Sequence, residues 1–292
     1  MKSWQKPRKL WLLPMPLALA ALAWFSFPAA MEYFSYRPEV DYRAILRTSP
    51  AYNAEPTNLI FTYEAPNSPG LTKLRETYQL DQIAGAGSDF EKAKNLLKWV
   101  QVELRHDGSG VLPAQHDALT LISSAKSSGQ GLNCRGMAIV LAETLLSVGI
   151  PARYVELNPR DFSTESHVVT QAYLAELDKW VFFDPTYGAY FLNAAGQPLS
   201  LDEIRASLIS GEPLFTNPEI NYNGGPVDVD YLNYLAKNLY HLASPQVSAF
   251  GIDTAPARTM VVLNPAGDHS ERRNPFQAHL TLHNPEVFWA KP

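Results

Sequence analysis

Apolar positions recur at helical spacing in the first part of the chain and crowd into short strand-like runs further on. Phe90, Ala93, Leu97, Val100 and Leu104 follow Ser88 and Glu91, a capping-box pair, so a helix is expected from Ser88 to about Leu104. A shorter helix is expected over Gly70–Leu80 and another over Asp117–Lys126, each closed by breaker residues. Met137, Ala138, Leu141, Leu145 and Val148 mark one buried face of a helix from Cys134 to Val148, which Gly149 ends. Strands are predicted at Ala152–Leu157, His167–Leu174 and Trp180–Phe183. Beyond them, Leu201–Ile209 and Asp228–Leu242 read as helices, Thr259–Leu263 and His279–His283 as strands, and Gly267–Pro275 as a charged surface loop. Helices first and strands afterwards predict an α+β domain rather than alternating βαβ units, and no repeat or linker divides residues 70–292. Residues 32–69, rich in Pro, Tyr and Asn with one short apolar run at Leu59–Tyr63, read as an extended arm packing on that domain.

The pattern at the N-terminus differs. Leu10 to Met31 holds no charged residue and follows Lys2, Lys6, Arg8 and Lys9. A basic flank before an apolar run is the form of a secretory signal, and twenty-two uncharged residues also suffice to span a bilayer. Residues 1–31 are therefore expected to be a signal peptide or membrane anchor, placing the protein outside the cytoplasm and allowing membrane association through residues 10–31. Setting that segment aside sharpens the charge balance. The 292 residues carry 24 Lys and Arg against 29 Asp and Glu, but residues 32–292 hold 20 against 29. An acidic body argues against nucleic acid as a partner. A single cysteine excludes an intrachain disulfide and any multi-cysteine metal site.

That cysteine carries the candidate chemistry. Gly131-Leu132-Asn133-Cys134 puts the thiol at the first turn of a helix, where unpaired N–H groups and the helix dipole favour thiolate. His167 opens a strand 33 residues later, and a short turn returns the chain to Asp184. In an antiparallel hairpin these two lie within about two residues of direct opposition, so the carboxylate can hold the imidazole. Cys134, His167 and Asp184 then have the roles of acyl transfer: attack, proton shuttling and orientation of the base. The backbone N–H of Cys134 is a natural oxyanion donor, and Gln130, Asn133 or His116 could supply a second. Trp180 and Tyr187 are candidates to line a substrate groove, with core packing the favoured fate for the tryptophan.

Gly131-x-x-Cys134-x-x-x-Ala138, the Gly149-to-Val155 run, His167 and Trp180-Val181-x-x-Asp184-Pro185-Thr186 resemble the transglutaminase-like superfamily of papain-related thiol enzymes. The resemblance is closest over residues 88–210 and extends weakly to Leu235–Tyr240, which is similar to the tail of a bacterial exported branch. It implies a Cys-bearing helix packed on an antiparallel sheet that carries His and Asp. It also implies acyl transfer from Gln, amide or peptide substrates through a Cys134 thioester to an amine or to water. Cell-envelope peptides or proteins are the implied donors for an exported member. The Val168-Val169 pair after His167 departs from the Trp many members place there. No counterpart exists to the calcium-binding and β-sandwich domains of animal transglutaminases, so neither calcium nor any other cofactor is expected. A papain-like peptidase or amidase, and a non-catalytic protein-binding module of the same fold, are the competing readings. Of the other histidines, His106 and His241 read as structural, and His279 and His283, although four apart, flank an alternating strand rather than sit on a helix, so no metal site is expected.

Overall fold

The computed structural model describes residues 36–161, 165–268 and 278–292. The expected signal or anchor at 1–31, and most of the charged loop at 267–275, lie outside the described residues. Among the described residues no helix is long and apolar enough to cross a membrane.

Tyr36–Pro292 forms one compact unit. The segment expected to be an extended arm holds helix α1 (Tyr42–Arg47), capped by Asp41, and strand β1 (Thr62–Tyr63). Six residues with Leu46 as the one buried side chain leave no period to read in α1. The expected single helix at 70–80 is two, α2 (Pro69–Tyr78) and α3 (Leu80–Ala84), because Gln79 takes a left-handed conformation at φ 53°. Helix α4 (Asp89–Glu103) starts where its cap places it, with Ser88 accepting the Glu91 N–H. Helices α5 (Ala118–Ser128) and α6 (Cys134–Ser147) follow, capped by Asp117 and Asn133. Strands β2 (Ala152–Asn158), β3 (His167–Leu174) and β4 (Lys179–Phe183) match the expected runs closely. After β5 (Phe191–Leu192), α7 (Leu201–Ser210) carries a complete capping box from Ser200 and Glu203, and β6 (Phe215–Thr216) pairs back onto β5.

The expected helix over 228–242 is cut short. Helix α8 covers Tyr231–Asn238, and His241–Pro245 is strand β7. β7 pairs with β2 on one side and with β9 (Thr259–Leu263) on the other, so ladder bonding overrides local helical spacing. Between them β8 (Val247–Ser248) pairs in parallel with β1. Strand β10 (Ala278–Leu282) and the short α9 (Pro285–Phe288) complete the chain. The main sheet runs β10-β9-β7-β2-β3-β4. It is antiparallel as expected, save for the edge pair β10 and β9, which is parallel.

A hydrophobic core lies on each face of this sheet. One packs α2 to α6 against Ala152, Val168, Ala172 and Val181, and the other packs α1, α7 and α8 against Val155, Val169 and Leu242. The sequence pattern marks one buried face on α6. In fact every residue from Gly136 to Ser147 is buried, because α6 is covered by the sheet on one side and by α2, α4 and α5 on the other. That burial includes Glu143, whose carboxylate accepts the Ala118 and Gly251 N–H groups and so ties α6 to its neighbours.

Candidate active site

The start of α6, the start of β3 and the end of β4 meet at one place. Asn133 caps α6 by accepting the Gly136 N–H at 3.1 Å, which sets Cys134 in the first turn. The β3–β4 register pairs Thr170 with Phe183, so Asp184 falls diagonally across from His167. The contact is direct: His167 Nε2 lies 2.6 Å from Asp184 Oδ2, and both side chains are buried. That leaves His167 Nδ1 for the thiol. Asp184 is held in turn by the Thr186 N–H on Oδ1 (2.9 Å) and by the Tyr231 hydroxyl on Oδ2 (2.6 Å). Tyr231 belongs to α8, on the opposite face of the sheet from α6, and no spacing in the sequence links it to the other three. The His167 ring is flanked by Tyr234 and Tyr187, at centroid distances of 5.3 and 6.0 Å.

Cys134 is half-buried at the wall of a cavity of about 420 Å³, shared with His106, Glu165, His167, Tyr187 and Tyr222. Burial pushes its thiol up, but hydrogen bonds from His106 and His167, and the positive charge of the His167 ring, bring it down to about 6 from an ordinary value of 9.0. Burial pulls His167 down, and the Asp184 charge with hydrogen bonds to Asp184 and Cys134 outweighs it, raising the imidazole to about 10. Asp184 is held below the usual carboxylate range, because the His167 charge and three hydrogen bonds outweigh its burial. Opposite shifts of this kind favour a thiolate beside an imidazolium.

The other expected site residues separate. Tyr187 lines the cavity as expected. Trp180 does not: it is buried in β4 against Tyr63, Tyr173 and the Arg153 guanidinium, and its indole N–H donates to Ala290 O. Of the oxyanion candidates, Asn133 has both ends of its amide in use, donating to Gly110 O while capping α6. His116 Nδ1 sits 2.5 Å from Asp253 Oδ2, and Gln130 is exposed in the loop; neither lines the cavity. His106, read as structural, also lines the cavity beside Cys134. His241 is indeed buried and structural, held by Asn264 Oδ1 and Arg160 O. His279 is in β10, and His283 after it lies 3.0 Å from Asn264 O.

Behind Cys134, Arg135 reaches Glu156 at 2.5 Å and Asp253 at 3.1 Å, and Asp253 also takes the Tyr154 hydroxyl. This buried cluster joins the first turn of α6 to β2 and to the turn at 252–254.

A Cys at a helix start, a His at the start of one sheet strand and an Asp just past the end of the next stand together in an α+β fold. Residues 76–185, the segment that holds all three residues, match the family model described as the transglutaminase-like superfamily. None of the curated proteins matches the chain. Among solved structures, the chain is similar to one described as "a Putative Cysteine Protease from Cytophaga hutchinsonii", at 15% identity and a TM-score of 0.33, over 51% of this chain and 49% of that one. It is also similar to red sea bream transglutaminase, at 12% identity and a TM-score of 0.31, over 70% of this chain and 38% of that one. The chain thus spans about half the length of the first relative and less of the second.

Proposed function

We propose that the protein is a thiol-dependent acyl-transfer enzyme that cleaves amide or peptide bonds through a Cys134 thioester. The observation that supports this best is the buried His167–Asp184 pair at 2.6 Å, set beside a thiol lowered to about 6 in an accessible cavity. In this reading the Cys134 thiolate attacks the carbonyl carbon, and the imidazolium of His167 passes its proton to the departing nitrogen. Asp184 keeps that ring oriented and charged. Water or an amine, deprotonated by His167, then attacks the thioester carbonyl and releases Cys134. The acceptor decides between hydrolysis and transfer. The test is to incubate the protein with a library of acyl amides, with and without a primary amine, and follow products and Cys134 adducts by mass spectrometry. Turnover that stops in Cys134→Ala is expected; turnover unaffected by that change would overturn the reading.

The apolar run at 10–31 behind four basic residues supports export, with envelope peptides or proteins as donors. Fractionation of cells expressing the full chain should recover it outside the cytoplasm, and recovery from the cytosol would sink that part.

A further inference from the structure

Two imidazoles, His106 and His167, line the cavity together with Cys134, and the triad uses one of them. His106 is held there by a built arrangement. Its N–H donates to Asn223 Oδ1 (2.8 Å), and Asn223 Nδ2 donates back to its carbonyl (3.0 Å). Asn223 and Gly224 both have positive φ, 52° and 81°, inside a tight turn closed by two hydrogen bonds between Tyr222 and Gly225. The same turn presents the Tyr222 hydroxyl 3.0 Å from His106 Nδ1. On its other side, the His106 segment bridges to Leu132, two residues before Cys134, through Leu132 N–H to Arg105 O and Asp107 N–H to Leu132 O. Gly131 permits this approach, since a Cβ there would stand 2.7 Å from Arg105 O.

We propose that His106 is a second catalytic residue, whose Nε2–H binds the Cys134 thiolate before attack and the substrate carbonyl oxygen during it. This rests on the reading of Cys134 as the acyl nucleophile. The role requires the tautomer in which the Tyr222 hydroxyl, 3.0 Å from Nδ1, donates to that nitrogen and the ring proton sits on Nε2. When the sulfur lone pair forms the C–S bond, the carbonyl π pair moves onto oxygen. That oxyanion accepts hydrogen bonds from the Cys134 N–H and from His106 Nε2–H, with no proton transferred. Collapse re-forms the carbonyl and breaks the C–N bond, and His167 supplies the proton to the amine. His106 thus takes the place for which Gln130, Asn133 and His116 are the sequence candidates.

Two reagents separate this role from a structural one. Iodoacetamide alkylates a thiolate without forming an oxyanion, whereas p-nitrophenyl acetate acylates it through a tetrahedral oxyanion and releases nitrophenolate. At pH 8, His106→Phe in the full chain should lower the acylation rate roughly 100-fold and the alkylation rate by no more than about ten-fold. His106→Gln, which keeps an N–H donor, should recover most of the loss. Equal losses with both reagents, or none with either, would overturn the proposal. If His106→Phe does not fold, Tyr222→Phe carries the test: selective slowing of acylation supports the role, and a wild-type ratio of acylation to alkylation refutes it. A wild-type protein inert to both reagents would instead remove the nucleophile reading on which His106 depends.

Discussion

Tyr231 shows what single residues contribute beyond the three the sequence brings forward. Its hydroxyl shares Asp184 Oδ2 with the His167 ring, and burial together with the Asp184 charge pushes its phenol up, so it stays a neutral donor. Tyr231→Phe should therefore cost about 2 kcal/mol in urea unfolding, the worth of a hydrogen bond to a charged group. A change within a few tenths of a kcal/mol would mean that the bond carries no weight. The order Cys134, His167, Asp184 was readable because each stands in a strongly patterned element. Tyr231 and His106 were not, because nothing local marks them. One arrives from a helix on the far face of the sheet, the other from a loop held by hydrogen bonds to Asn223 and Leu132.

At the scale of elements, the site depends on where α6 begins. Gly131 lets the loop before α6 pass against the 105–107 segment, and a methyl group there would overlap Arg105 O and the Asp107 Cβ. Gly131→Ala should destabilise the fold by about 1–3 kcal/mol and slow Cys134 alkylation, which combined urea unfolding and iodoacetamide kinetics would measure. The cluster behind the cysteine makes a parallel prediction. Asp253→Ala removes a partner from Arg135, Tyr154, His116 and Arg258 together, and the loss of stability is expected to be about 3 kcal/mol or more. Helix α6 and strands β2 to β4 were legible because their caps and apolar runs agree with their tertiary surroundings. Strand β7 was not, since both of its faces are buried and its residues continue the apolar spacing of α8 without alternation. Trp180 takes the core position that competed with a place in the groove, and the partners that bury its indole, the Arg153 guanidinium and Tyr63, come from distant parts of the chain.

For the molecule as a whole, the sheet is the frame that brings three layers to one point. Helix α6 supplies the thiol from one face, β3 and the end of β4 supply the imidazole and the carboxylate that holds it, and α8 closes the pair from the other face. The central claim is that this assembly keeps Cys134 as a thiolate beside a protonated His167. The sign is fixed by the two shifts. As pH falls through about 6 the thiolate is protonated, and as pH rises through about 10 the imidazolium is lost, so acyl transfer should hold a plateau between them. The most direct measurement is the iodoacetamide rate at Cys134 from pH 4 to 10, read by mass spectrometry on the wild-type protein and on His167→Ala. The account predicts a wild-type midpoint near 6 that moves up by one or more pH units without His167. A wild-type midpoint near that of a free thiol, or one that His167→Ala leaves in place, would contradict it.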